Sequence, residues 1–267
     1  MAKLFVVSDI HGYYDEFIKA LDDAGFDKYN SDHWLVTCGD HFDRGPKPVE
    51  VMRYLISLPR KILIKGNHET LFRDLCDRGY PGSHDYSNGT FDTVCAFGGV
   101  DNGNSFDERC LVAYNRTKNF IDNMINYFET KNYVFVHGWI PVTCKDGLPM
   151  YHRRNRKFEF NPDWRHAHYS EWEQARWLNG IDMALKGFVE PEKTIVCGHW
   201  HCSYGHSMQA VMDAVSSGKS SFTVNIDEFG PTAIWEPYYG NGIIAIDRCT
   251  AHTGEANVLV LEDDFLE

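Results

Sequence analysis

One pattern constrains this chain more than any other: a short apolar run stops at a polar loop carrying Asp, His or Asn, and helical periodicity follows. Leu4-Phe5-Val6-Val7 ends at Ser8-Asp9-Ile10-His11-Gly12, and Tyr13 to Ala24 then has apolar residues at 17, 18, 20 and 21. Trp34 to Thr37 ends at Gly39-Asp40-His41-Phe42-Asp43-Arg44-Gly45. A helix is predicted after it from about Val49 to Leu58, started by Pro46 and Pro48 and stopped by Pro59. Lys61 to Ile64 ends at Gly66-Asn67-His68-Glu69, ahead of a helix from about Thr70 to Cys76. Successive βα units with polar residues at the strands' carboxyl ends predict an α/β sheet rather than a helical bundle.

The rest of the chain is less regular. Residues 79–105 are rich in Gly, Ser, Asn and Asp and read as a long surface loop. A helix is predicted from about Phe106 to Glu129, then a strand from Tyr133 to Val136 that delivers His137-Gly138. A rim insertion is expected at about 139–165, carrying the basic cluster Arg153-Arg154-Asn155-Arg156-Lys157. A helix from about Ser170 to Leu185 precedes the strand Thr194 to Cys197 and the loop Gly198-His199-Trp200-His201. The apolar runs Phe222 to Ile226, Gly242 to Ile246 and Val258 to Leu261 read as strands of a second sheet. With 267 residues and 43% apolar content, one domain over residues 1–267 is expected.

Charge and cysteine usage narrow the partners. The balance of 26 basic against 38 acidic residues gives a formal charge of −12, which disfavours a long polyanion such as nucleic acid. The eight cysteines lack paired CxxC spacing and the density of a disulfide scaffold, so they read as reduced thiols. The first apolar run is too short for a signal-peptide core, and none reaches the ~18 residues of a spanning helix. A soluble, cytoplasmic protein without a membrane partner is expected.

The polar loops carry a shared chemistry. A single His on a loop is more often a hydrogen-bonded structural residue than a ligand, but the conjunction of these loops reverses that reading. Two divalent cations held close together share a carboxylate and a water that ionises near neutral pH. Asp40 is the candidate bridging carboxylate, Asp9 and His11 suit the first metal, and Asn67, His137 and His199 suit the second.

These motifs, in this order along residues 9–199, resemble the calcineurin-like metallophosphoesterases. Within them they are most similar to the phosphoprotein phosphatase branch, which also holds phage serine/threonine phosphatases and symmetrical diadenosine tetraphosphatases. The resemblance implies a four-layer αββα sandwich of two mixed sheets flanked by helices. It also implies that Arg44 binds the substrate phosphate beside Asn67 and His68, and that His68, oriented by Asp43, protonates the leaving oxygen. Arg176, in Ala175-Arg176-Trp177, resembles a second phosphate-binding arginine of the branch.

Three positions depart from that branch. Ser8 stands where Gly is usual and Phe42 where an aliphatic residue is usual, and both read as packing changes. His201 completes a Gly-His-x-His pattern of the wider superfamily, in which the second His is a ligand of the first metal, so His201 joins the expected metal set. The resulting expectation is a phosphatase with two divalent ions, Mn2+ first and Fe or Zn compatible with the same ligands. It would hydrolyse phosphomonoesters, with a protein's phosphoserine or phosphothreonine as first substrate, by attack of a metal-bridging hydroxide. The rival substrate is a dinucleoside tetraphosphate. A different class, a non-catalytic metal-binding adaptor of the same fold, would be expected to have lost a ligand or His68, and none is missing.

Overall fold

The apolar runs of the N-terminal half form β1 (Ala2–Val7), β2 (His33–Cys38) and β3 (Lys61–Ile64). They pair in parallel, with β1 beside β2 and β2 beside β3. Between and after them lie α1 (Tyr14–Asp23), α2 (Pro48–Ser57) and α3 (Asn67–Arg78). The computed structural model describes residues 2–99, 105–144, 158–218, 220 and 227–265. The basic cluster Arg153–Lys157 and the apolar run Phe222 to Ile226 lie outside the described residues.

Along the remainder run α4 (Ser83–Ser87), α5 (Thr90–Gly98), α6 (Phe106–Asp122), β4 (Phe128–Glu129), β5 (Tyr133–Phe135), β6 (Val142–Cys144) and β7 (Phe158–Phe160). They are followed by α7 (Tyr169–Ala175), α8 (Gly180–Leu185), β8 (Thr194–Cys197), α9 (Cys202–Ser216), β9 (Tyr238–Gly240), β10 (Ile243–Ala245), α10 (Thr250–Thr253) and β11 (Leu259–Asp263). One mixed sheet has the order β11-β1-β2-β3 and the other β4-β5-β8-β10-β9, while β6 and β7 form a separate hairpin. Only β11 is antiparallel in the first sheet; in the second, β5, β8 and β10 are parallel and both edges antiparallel.

Why the strands read as continuous apolar runs follows from the layers. Side chains alternate along a strand, so Leu4 and Val6 face one way while Phe5 and Val7 face the other. Leu4, Val6, Val36 and Ile64 meet Phe135, Val196 and Ile244 in a core between the two sheets. Phe5, Val7 and Leu35 pack outward against Phe17, Val51, Phe72 and Phe97 of the helices. On the far side, Val134, Ile195 and Ala245 pack against Trp172, Ala175 and Ile181. Both sheets are thus covered by helices, giving the four-layer αββα sandwich.

Several local expectations are corrected. Residues 79–105 contain α4 and α5, because their turn residues punctuate short helices: Gly89 precedes α5 with φ 77° and Gly99 ends it with φ 84°. The helix expected to reach Glu129 stops at Asp122. The apolar residues beyond it run beside β3, where Ile125 N donates to Leu63 O and Lys65 N to Ile125 O. The helix expected over 170–185 breaks into α7 and α8 because the Asn179 side chain accepts from Asp182 N and restarts it as an N-cap. The run Val258 to Leu261 enters the first sheet as β11, not the second. Helix α9 was not anticipated, since it buries only Cys202, Ser203 and Gly205 and carries little apolar stripe. Among the described residues no helix is long and apolar enough to cross a membrane.

Candidate metal centre

Loops leaving the carboxyl ends of parallel strands converge at one edge of the sandwich, the usual position for a site in an open α/β sheet. Asp9 and His11 follow β1, Asp40, Asp43 and Arg44 follow β2, and Asn67 and His68 open α3 directly after β3. From the second sheet, His137 follows β5 and His199 follows β8. Among the described residues the non-glycine positions with left-handed backbone are Asp9, His11, Asp40, Arg44, His199 and Cys249. Such conformations cost on the order of 1–3 kcal/mol each and cluster where function over-determines the backbone. All but Cys249 belong to the site expected from the sequence. Two glycines allow the close packing: a Cβ on Gly66 would lie 2.1 Å from Asp40 Oδ1, and one on Gly198 2.2 Å from Asp9 Oδ2.

Asp40 stands at the centre. Its Oδ2 is 3.7 Å from His11 Nε2 and 3.9 Å from His68 Nε2, and its Oδ1 is 3.4 Å from His137 Nε2. Two donor groups therefore share this carboxylate, His11-Asp40-His68 and Asp40-His137-His199. Asp9 adjoins the first, with Oδ1 4.0 Å from His11 Nε2 and Oδ2 accepting from His199 N at 2.9 Å. Asn67 adjoins the second, its Oδ1 2.7 Å from His137 Nε2. Arg44 donates through Nη1 to His11 Nε2 at 2.9 Å and through Nη2 to His68 Nε2 at 3.2 Å. His68 Nδ1 donates to Asp43 Oδ2 at 2.7 Å.

The electrostatics set one anion, Asp40, among rings of differing character. Burial opposes ionisation of Asp40, but His137, His68, His11 and His199 outweigh it and hold the carboxyl well below the usual range. Burial lowers His11, helped by the charges of His68 and Arg44, and takes His199 down to about 3. Burial also lowers His68, but the Asp40 charge and the Asp43 hydrogen bond prevail and raise it. Asp9 is pushed up to about 6 by burial against the pull of His137.

These residues fit a pair of divalent cations. Donors bound at about 2.1 Å to one ion stand roughly 3–3.5 Å apart, close to the spacings around Asp40. His137 Nδ1 lies 2.7 Å from Cys38 O and donates to it, which orients Nε2 toward Asn67 Oδ1 at 2.7 Å and Asp40 Oδ1 at 3.4 Å. Carboxylate, amide oxygen and imidazole donors together suit Mn, Fe or Zn.

Supporting residues that sequence reasoning missed are equally specific. Glu69 Oε2 accepts from Asp40 N at 3.2 Å and Gly66 N at 2.7 Å, while Oε1 accepts from His41 N at 2.9 Å and faces His41 Nδ1 at 3.0 Å. His41 Nε2 is 2.7 Å from Thr37 Oγ1, so the network is buried end to end. Thr90 Oγ1 donates to Asp43 Oδ2 at 2.6 Å, which fixes the carboxylate that holds His68. Asp247, after β10, is buried near Asp9, and burial together with that charge raises it well above the carboxylate range.

Two further expected site residues, His201 and Arg176, have partners of their own. His201 Nε2 lies 3.2 Å from Glu228 Oε2, with its ring centre 4.7 Å from that of Phe229, and it belongs to neither donor group. A ring at the N-cap of α9 turns toward the 228–235 segment rather than toward Asp40. Arg176 is buried at 3% exposure and donates through Nη2 to Asn126 Oδ1 at 2.6 Å.

Residues 2–203 match the family model of the calcineurin-like phosphoesterases, and the chain belongs to that family. It is 40% identical over 72 residues to an asymmetrical bis(5'-nucleosyl)-tetraphosphatase of Bacillus velezensis, covering 24% of this chain and 29% of that protein. It is likewise 40% identical over 67 residues to a symmetrical bis(5'-nucleosyl)-tetraphosphatase of Nitrosococcus oceani, covering 25% of this chain and 23% of that one. The chain thus spans less than a third of the length of these relatives. A cold-active protein-tyrosine phosphatase of a psychrophilic Shewanella species shares its fold, with a TM-score of 0.50 at 15% identity over 98% of this chain and 76% of that one.

Proposed function

We propose that this protein is a phosphoric ester hydrolase working with two divalent cations, Mn2+ foremost. The observation that carries the reading is the division of Asp40, with Oδ2 toward His11 and His68 and Oδ1 toward His137. Asp9, His11 and Asp40 would hold one ion, and Asp40, Asn67, His137 and His199 the other. When bound, the ions supply Lewis acidity toward a phosphoryl oxygen and lower the pKa of water there.

The chain's own residues perform the remaining work. Arg44 presents a planar fork to a tetrahedral oxyanion and orients it, as guanidinium does better than ammonium. Asn67 and His68 line the same space. With Arg44 turned from His68 to the substrate oxyanion, Nε2 is free to carry the proton given to the leaving oxygen, and Asp43, itself held by Thr90, fixes the ring by accepting from Nδ1. His199 and His11, kept neutral by burial, present lone pairs and not charge.

A phosphomonoester on protein serine or threonine is the proposed substrate class. A second reading, hydrolysis of a dinucleoside tetraphosphate, is favoured by the names of the relatives. Turnover of a phosphothreonine peptide and of diadenosine tetraphosphate, measured side by side with Mn2+, tests both. Failure on both substrates by the wild type, with Mn2+ bound, would remove the hydrolase reading and leave a metal-binding adaptor.

A further inference from the structure

A cavity of about 580 Å³ lies beside the candidate metal centre, within the roughly 300–1,000 Å³ range of small-molecule sites. Thr70, Leu71 and Asp74 line it from α3, and Glu173, Gln174 and Trp177 from α7 and just beyond. Both walls begin at the centre itself. Helix α3 opens with Asn67 and His68, and Leu71, three residues after His68, shares its face one turn further on. On the other wall, the Trp177 ring centre lies 6.1 Å from that of His199, with the ring planes 85° apart. His68 stands where the leaving oxygen receives its proton, so whatever that oxygen carries has this cavity as its neighbour.

The lining chemistry selects the occupant. Among the described residues no lysine or arginine lines the cavity, while Asp74 and Glu173 do, so a phosphate group is repelled there and stays with Arg44. The half-buried Trp177 gives a flat apolar surface, and every nucleobase has a face to stack on one. Carboxylates accept from ribose hydroxyls, and the Gln174 amide with the Thr70 and Ser170 hydroxyls offers donors and acceptors to a base edge. The carboxylates would also attract a basic side chain, but such a chain makes no use of the amide and hydroxyls. We infer that this cavity receives the nucleoside of the leaving group, with Trp177 stacked on the base and setting substrate specificity. Its role in turnover rests on the dinucleoside reading above, whereas its affinity for a nucleoside does not.

The test is a calorimetric titration of adenosine, which carries no phosphate for the metals or Arg44, into the full chain with Mn2+. The wild type should bind it saturably. Trp177→Ala should weaken it roughly tenfold, the size of one base–aromatic stack, while Trp177→Phe keeps most of the affinity. Leu71→Trp, which fills the cavity from α3, gives the same loss should Trp177→Ala fail to fold. No saturable binding by the wild type, or wild-type affinity in the folded Trp177→Ala and Leu71→Trp variants, would overturn the inference. Kinetics then place the cavity in turnover. In Trp177→Ala, KM for diadenosine tetraphosphate should rise at least about five times more than KM for glycerol phosphate, with the effect on KM exceeding that on kcat. Equal rises on both substrates would overturn the leaving-group assignment, and a rise confined to a phosphothreonine peptide with flanking arginines would give the cavity to a basic side chain instead. Absence of wild-type turnover on every substrate would defeat the hydrolase reading alone, because the adenosine titration decides the nucleoside site without it.

Discussion

Glu69 Oε1 faces His41 Nδ1 at 3.0 Å, with both side chains fully buried, and the same carboxylate accepts the backbone N–H groups of Asp40, His41 and Gly66. The pair therefore fixes the peptide that carries the shared carboxylate Asp40 to the first turn of α3, where Asn67 and His68 begin. Glu69→Gln puts an amide NH2 against these donors and leaves at least one unpaired, so it should cost about 3 kcal/mol or more by denaturant unfolding of metal-free protein. His41 and its hydrogen bonds outweigh burial and hold Glu69 below its ordinary value of 4.5. Its contribution is therefore complete above that range and is lost as pH falls through the lowered native value. The stability gap between wild type and Glu69→Gln should narrow on acidification below about 4.5. A gap that stays constant or widens there would show that ionised Glu69 is not what joins the two loops.

Asp40→Asn removes the anion around which both donor groups are arranged while keeping nearly the same shape. Lewis-acid stabilisation is worth several kcal/mol, so turnover should fall by on the order of 10³-fold or more, with little change in unfolding midpoint of the metal-free protein. Hydrolysis of para-nitrophenyl phosphate at the wild-type rate would exclude Asp40 as the shared ligand.

His68 is joined to Asp43, and Asp43 to Thr90, in one buried chain. As a general acid, His68 matters most where the leaving oxygen is a poor leaving group, so His68→Asn should slow an alkyl phosphate by roughly 10² to 10⁴ and an aryl phosphate much less. Thr90→Val breaks one hydrogen bond to Asp43, worth about 1 kcal/mol, and should lower kcat on the alkyl substrate several-fold without altering metal content. Equal losses on both substrates for His68→Asn, or loss of bound metal by elemental analysis, would instead make His68 a ligand.

How much of this was legible follows from where the information lies in the chain. Asp9, Asp40, Asn67, His137 and His199 each come directly after an apolar run, so strand position and residue type together mark them. The αββα layers came from resemblance, while the runs themselves gave only the βα units. Thr90 was invisible because its segment is dense in turn residues, and its contact with Asp43 spans 47 positions. His41 lay within a motif, yet its partner Glu69 is 28 residues away, and pairing at that range leaves no local signal.

His201 shows the limit of spacing as evidence. Two residues after His199, a Gly-His-x-His turn allows a second ligand, but α9 begins at Cys202 and turns the His201 ring to Glu228, Phe229 and Trp235. An imidazole committed to a carboxylate there contributes packing and one hydrogen bond, roughly 1–2 kcal/mol in all. His201→Ala should therefore lower stability by about that amount. Both metal affinities should stay at the wild-type values in a titration with Mn2+. His201→Gln, which keeps a donor to Glu228, should recover part of the stability. Weakened binding of one ion in His201→Ala, unaccompanied by a loss of stability, would return His201 to the first metal's ligand set and require the 228–235 segment to rearrange when the ion binds.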